Sequence, residues 1–369
     1  LTIACIAKIL RNNATSTLVV KWKSKILCKK NGWRAWKMLY YSLPVSTEKT
    51  NAKYRMVECG GCHSRVFIPG DLEPFATVPC KKCNHPVMLP VRLHQYELRG
   101  IIASGGMGTV YRAMDLMLER EVAVKMMRKE LANDPHTVEC FIREARACGS
   151  LTHTNIIHIY AFDRYNEQLY MVMELADRGS LDQRIDREGH LPELKVLDIG
   201  IKIASALDTA LKHGLLHRDI KPGNILFNAD DEPKLVDFGL AGSSEMYMAA
   251  SDTIWGTVRY VAPEKIKREG ETFQSDMYSL GATLYHALTG HPPFEGETNE
   301  SILLAHVHTP VTPPHHLLFE VTKPTSDALV RAMAKRPEDR FSSYDEMIME
   351  LTAARSKLLV SQYHVHQPE

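Results

Sequence analysis

The sequence predicts an α+β chain preceded by a small module that a metal ion folds. Three observations predict it. Strand-like runs crowd between residues 96 and 174, and apolar residues recur at helical spacing beyond residue 176. Ahead of both stand two C-x-x-C pairs, Cys59/Cys62 and Cys80/Cys83. The 369 residues suffice for a catalytic-sized domain plus something small. With 44% hydrophobic and 24% charged residues, the composition is globular. No apolar run reaches the roughly 18–20 residues that a membrane span requires.

The net charge of +1 hides an asymmetry. Residues 1–55 carry twelve Lys and Arg against one acidic residue, so the remaining 314 carry a net −10. The first ten residues are apolar but contain Lys8 and are followed by no clear small-residue cleavage site, so they read as no secretory signal. Lys21-Trp22-Lys23 and residues 29–36 mix cations with tryptophan, a pattern that serves nucleic acid or anionic membranes. That reading is set aside because the segment shows no sustained period. The preferred one is a disordered or mis-assigned start, with the working protein beginning at or near Met56.

Residues 56–90 form the first module. A C-x-x-C turn lets two thiolates converge, and two such turns seventeen residues apart can close a tetrahedral four-sulfur site on short hairpins. Redox C-x-x-C pairs normally sit in a βαβ context, which is absent here. Lys81 and Lys82 offset thiolate charge, and His63 and His85 read as solvated neighbours. Eight cysteines, four of them so placed, favour a reducing compartment over a disulfide framework. So short a segment would draw most of its folding energy from the metal. The segment 86–93, with Pro86 and Pro90, reads as a short stiff linker.

Strands are expected at 96–102, 109–113 and 121–126, with a glycine-rich turn, Ser104-Gly105-Gly106-Met107-Gly108, between the first two. Such a turn brings backbone N–H groups close to phosphate oxygens. Lys125, in Val122-Ala123-Val124-Lys125, is costly to bury unpaired and needs anions. Further strands are expected at 156–162 and 168–174, then a helix at 194–211.

Residues 216–227 read L-H-R-D-I-K-P-G-N-I-L-F, with Asp219, Lys221 and Asn224 between apolar pairs. Asp237-Phe238-Gly239 begins thirteen residues after Asn224. A carboxylate, an amide oxygen and a second carboxylate are hard ligands of the kind Mg²⁺ takes when it also carries phosphates. Beyond them lie a polar stretch at 243–253, Ala262-Pro263-Glu264, a helix from Asp276 to about residue 288, and a last helix at 344–354. The tail from Ser356 has no assigned role.

These motifs, in this order and spacing, resemble the protein kinases over about residues 96–355, and the arrangement is similar to bacterial-type Ser/Thr kinases with an N-terminal zinc ribbon. The resemblance implies a two-lobed protein kinase fold, a β-rich N lobe at 96–174 and a helical C lobe at 177–355. It implies that Asp219 accepts the proton of a protein Ser/Thr hydroxyl while Lys221 steadies the γ-phosphate of ATP. Asn224 and Asp237 would hold Mg²⁺ or Mn²⁺. Lys125, held by Glu144 rather than Glu139, would hold the α/β-phosphates. The nucleotide would lie among Ala103, Ser104, Gly105, Gly106, Met107, Gly108, Val110, Ala123 and Leu226, with Met173 as gatekeeper and the backbone of Glu174 and Ala176 on the adenine edge. Arg218 and Thr257 would brace the loops, and Glu264 would pair with Arg340 as a structural contact. Autophosphorylation is expected at Thr253, with Ser251 as the alternate, through a dimer if it occurs in trans. A structural Zn²⁺ at the four cysteines and a cytoplasmic location complete the expectation.

One position departs from the kinase pattern, since the first glycine of the phosphate-binding turn is Ala103. A methyl there is tolerable if φ is negative, at the expense of a stiffer turn or weaker nucleotide binding. It is the feature that favours the rival reading, a pseudokinase scaffold whose ribbon does the binding.

Overall fold

The computed structural model describes residues 53–166, 168–238 and 258–365, together with the strands at 2–10 and 19–27. Ser251, Thr253, Thr257 and Gly239 lie outside the described residues. The chain divides into two units, 1–46 and 47–369. In the first, β1 (Thr2–Leu10) pairs antiparallel with β2 (Val19–Leu27), Thr2 opposite Leu27.

The second unit opens with two hairpins. β3 (Tyr54–Glu58) pairs with β4 (Arg65–Pro69), and β5 (Thr77–Pro79) with β6 (Pro86–Met88). The first strand thus starts two residues ahead of Met56, and Arg55 lies opposite the buried Ile68. Ile68, Val87 and Leu89 pack with Cys59 and Cys80 in a core too small to stand alone.

The segment 86–93 is not a linker. Its first residues belong to β6, and Val91–Leu93 forms β7, the edge of a six-stranded sheet. Val91 and Leu93 alternate inward and pair with Leu98 and Tyr96 of β8 (Tyr96–Ser104). A three-residue strand gives period-2 alternation too little length to be read, and Pro90 occupies the break between two sheets.

The sheet continues through β9 (Gly108–Asp115), β10 (Arg120–Met127), β11 (Ile159–Tyr165) and β12 (Gln168–Met173), in the order β11-β12-β10-β9-β8-β7. The strand expected at 156–162 begins three residues later. β10 reads as a nearly unbroken apolar run because both faces are covered. Val122, Val124 and Met126 pack with Leu98, Tyr111, Tyr170 and with Met88 of the metal module. Met127 packs with Leu169 and Met171 against Phe141 and Ala145 of α1 (Pro135–Ser150). Asp134 caps that helix, accepting from the N–H groups of His136 and Thr137, with Pro135 at its first position.

The second lobe is helical: α2 (Leu181–Glu188), α3 (Glu193–Lys212), α4 (Pro263–Lys267), α5 (Phe273–Thr289), α6 (Asn299–His308), α7 (Lys323–Ala332) and α8 (Tyr344–Val365). β13 (Ile225–Phe227) and β14 (Pro233–Leu235) form a small hairpin, and Leu235 bridges to Ile156, ahead of β11. α5 is buried on nearly every side, which explains its continuous apolar run. α8 runs past the expected end at residue 354, because Leu351, Ala354 and Leu358 continue a buried helical stripe into the supposed tail. Among the described residues, no helix is long and apolar enough to cross a membrane.

Candidate active site

The hairpin β13–β14 sets the geometry. Ile225 and Leu235 lie opposite each other, and the Val236 N–H donates to the Asn224 carbonyl at 3.0 Å. Asn224 and Asp237 therefore emerge at the same end, one residue apart in register. Asn224 spends its amide N–H on Asp219, 2.8 Å to the carbonyl oxygen and 3.0 Å to Oδ2, so its amide oxygen remains for a cation. The Asp237 side chain is 47% exposed. An amide oxygen and a carboxylate at one open end fit a hard divalent ion.

Asp219 is buried, with Lys221 Nζ 2.8 Å from Oδ2. Among the described residues its Oδ1 has no hydrogen-bond partner. A buried carboxylate with one oxygen pinned and the other unspent is suited to accept from a hydroxyl.

Lys125 extends from β10 with Nζ 2.7 and 2.9 Å from the two Glu144 oxygens on α1, and 3.0 Å from Asp237 Oδ1. Burial opposes its charge, but Asp237 and Glu144 outweigh burial and raise the ammonium's pKa. Partial burial pushes the Asp237 carboxyl up, and Lys125 more than offsets this, holding it below the usual carboxylate range. The cation is thus held between a helix of one lobe and a loop of the other. Glu144, not Glu139, makes the contact; Glu139 pairs with Arg143 at the surface.

The glycine-rich turn closes with the Gly105 N–H on the Gly108 carbonyl at 2.9 Å. A Cβ on Gly108 would stand 2.4 Å from the Met126 carbonyl oxygen, so glycine alone lets the returning strand lie on β10. Gly106 faces open space, and a Cβ on Gly105 would meet the Gly108 carbonyl oxygen alone, at 4.0 Å, so the turn's inner face stays open as a phosphate-binding turn requires. Ala103 pairs with Val110, and its φ is not positive, so its methyl fits. Val110 stands opposite Lys125, and Ala123 opposite Met173. The Glu174 N–H is spent on the His158 carbonyl at 2.8 Å, which leaves that residue's own carbonyl for a ligand edge. Leu226 bridges to Ser180 across the floor.

Two groups that sequence reasoning missed brace the loops. The carboxylate of Asp276, at the start of α5, accepts from the N–H groups of His217 and Arg218, each at 2.7 Å. It holds Arg218 at φ 66, and Asp237 stands at φ 62, two left-handed non-glycine residues within one site. Glu271 lies 3.2 Å from Lys265 Nζ and 3.9 Å from Arg218 Nε, so Arg218 already faces a carboxylate. An aspartate opening an apolar helix was the available signal, since burying it demands donors. Farther away, Glu264 and Arg340 form the expected pair, with both guanidinium ends at 2.7 and 2.8 Å.

The four thiols of Cys59, Cys62, Cys80 and Cys83 lie within 4.8 Å of one another. Zn–S bonds of about 2.3 Å give tetrahedral edges of about 3.8 Å, and the Cys59–Cys83 and Cys62–Cys80 sulfurs are 3.5 and 3.8 Å apart. Each knuckle closes with an N–H donated back to its first cysteine's carbonyl, from His63 and Asn84, both at positive φ. The hydroxyl and N–H of Ser64 lower the Cys62 thiol, and the N–H groups of Lys82 and Cys83 lower Cys80. Although the His85 N–H lowers Cys83, burial and the other three sulfurs raise it overall. Four thiolates cannot share this space without a cation, and zinc fits the donor set.

This geometry defines a two-lobed fold of the protein kinase type. Residues 96–352 match the family described as Protein kinase domain, and the chain belongs to it. It is similar to bacterial serine/threonine-protein kinases. It is 36% identical over 269 residues to the probable serine/threonine-protein kinase PknB of Corynebacterium glutamicum, covering 70% of this chain and 42% of that protein. To the serine/threonine-protein kinase PknH of Mycobacterium bovis it is 35% identical over 255 residues, covering 69% and 43%. To the probable serine/threonine-protein kinase PknB of Lactococcus lactis it is 34% identical over 264 residues, covering 71% and 42%. The chain spans about two-fifths of the length of these relatives.

Proposed function

We propose that the protein transfers the γ-phosphate of ATP to serine or threonine hydroxyls of proteins. The observation that carries this reading is the assembled cluster in which Lys125 meets both Glu144 and Asp237, beside a buried Asp219 with one unspent oxygen. Phosphoryl transfer asks a protein for positioning and charge stabilisation, and these residues supply both. Lys125 would hold the α/β-phosphates, Asn224 and Asp237 the Mg²⁺ or Mn²⁺, and Lys221 the γ-phosphate. Asp219 would orient the acceptor hydroxyl and take its proton. The bound metal would neutralise charge on the transferring phosphoryl group. Ala103 costs the turn no strain, and this weighs against the scaffold reading.

Four metal thiolates and a need for ATP suit the cytoplasm. Arg218, next to Asp219, suits a phosphate on the polar stretch at 243–253, at Thr253 or, as the alternate, Ser251, added through a dimer if it occurs in trans. Incubating the protein with labelled ATP and a mixed protein acceptor, followed by phosphoamino-acid analysis, tests the acceptor class. Phosphoserine and phosphothreonine are expected; phosphotyrosine alone would contradict the reading.

A further inference from the structure

The metal module does more than precede the catalytic lobes, because it touches the strand that leads into the phosphate-binding turn. The His85 Nε2–H, two residues beyond Cys83, donates to the Ile101 carbonyl on β8 at 3.1 Å. That carbonyl lies three residues before Ser104, where the turn begins. Register shifts flank Ile101, between Leu98 and Gly100 and between Ile101 and Ala103. A strand so interrupted carries backbone groups that the ladder does not hold. Tyr111, opposite Ile101 on β9, is gripped from the same module, with the Phe75 ring edge-on at 5.9 Å. Both members of this register pair therefore rest on the ribbon.

The first knuckle fixes the histidine in turn. A Cβ on Gly60 would stand 3.1 Å from His85 Nε2, and one on Gly61 2.9 Å from its Cβ and Cγ. The glycine pair inside Cys59-Gly60-Gly61-Cys62 is the space in which the imidazole lies. A chain of contacts thus runs from the first knuckle through His85 on the second to β8. The knuckles keep this spacing only while one ion holds all four sulfurs.

We propose that His85 is a positioning residue for the phosphate-binding turn, and that through it the metal-loaded ribbon sets the affinity of the cleft for nucleotide. The proposal rests on the kinase reading. A turn that must order around phosphates loses affinity when its supporting strand is loose, since the ordering then falls on the binding step. The ribbon acts as a fixed support for β8 and β9, and its loss would be felt as a higher KM for ATP before any loss of the transfer step.

The test compares wild type, His85→Ala, His85→Gln and Gly61→Ala in the full chain, with zinc content, ATP KM, kcat and amide exchange over 98–112 as readouts. One lost hydrogen bond predicts an ATP KM raised about fivefold in zinc-loaded His85→Ala, with kcat within about twofold. Exchange at 101–108 should accelerate, and His85→Gln, which keeps a donor, should recover most of both effects. Gly61→Ala should reproduce them by pushing the same ring, and it carries the test if His85→Ala fails to fold. Removing zinc from wild type with a chelator should accelerate exchange over the same residues. Unchanged ATP KM and exchange in zinc-loaded His85→Ala, or no recovery in His85→Gln, would overturn the proposal. A wild type that transfers no phosphate would instead contradict the kinase reading, and the exchange data would still decide whether His85 holds β8.

Discussion

Glu144 on α1 holds Lys125 of β10 by two contacts of 2.7 and 2.9 Å, and Lys125 in turn reaches Asp237 at 3.0 Å. The glutamate is buried, and burial pushes its carboxyl up even against the lysine. Glu144→Gln keeps the shape and removes the charge. Loss of one charge-assisted bond predicts a kcat/KM for ATP lower by roughly 10- to 100-fold. Steady-state kinetics measure this, and a rate within twofold of wild type would deny the pair its role.

The four-cysteine site predicts about one zinc per chain. Cys80→Ser should lose it and unfold the ribbon while the helical lobe stays folded. Elemental analysis with thermal unfolding followed by two probes tests both halves. Zinc well below stoichiometry after gentle purification would count against the site.

Arg340 is fully buried and gives five contacts: two to Glu264 and one each to the carbonyls of Gln274, Ala334 and Lys335. Removing one partner of a buried pair typically costs about 3–5 kcal/mol. Arg340→Met should lose that much in denaturant unfolding, and Arg340→Lys should lose much of it too, because an ammonium lacks the planar fork. Activity per folded molecule should persist, since the pair lies outside the cleft.

Much of the site was legible because its chemistry needs particular side chains at short separations. Asp219, Lys221 and Asn224 fall within six positions, and burying Lys125 announced its need for anions. Partners distant in sequence were not legible. Asp276 reaches back 59 residues to His217; an aspartate opening an apolar helix announces a need for donors, but nothing local says which donors meet it. β7 was missed because two apolar residues make no period, and its role depends on a sheet formed later in the chain. The glycines between Cys59 and Cys62 read as turn residues, whereas the space they leave is filled by His85 from the other knuckle.

Acid should weaken the helical lobe through His306, which is buried 2.8 Å from the Tyr278 hydroxyl. Burial, aided by Lys335, lowers its pKa to about 3. The native state therefore stays unprotonated there while the unfolded chain takes up a proton below about pH 6.5. The stabilisation is full above that pH and is lost as pH falls towards the folded value. Between pH 7.5 and 5.5 this one group predicts a loss of about 1.4 kcal/mol. Denaturant unfolding at both values should show that loss in wild type and a correspondingly smaller one in His306→Leu; equal losses would refute the assignment.

The most direct measurement is phosphate transfer from labelled ATP by wild type and Asp219→Ala, each paired with nucleotide binding. Asp219 acts at the acceptor hydroxyl, so the variant should bind Mg-ATP as wild type does while transfer falls by about 10²- to 10⁴-fold. Transfer near the wild-type rate in Asp219→Ala, with nucleotide bound, would contradict the account.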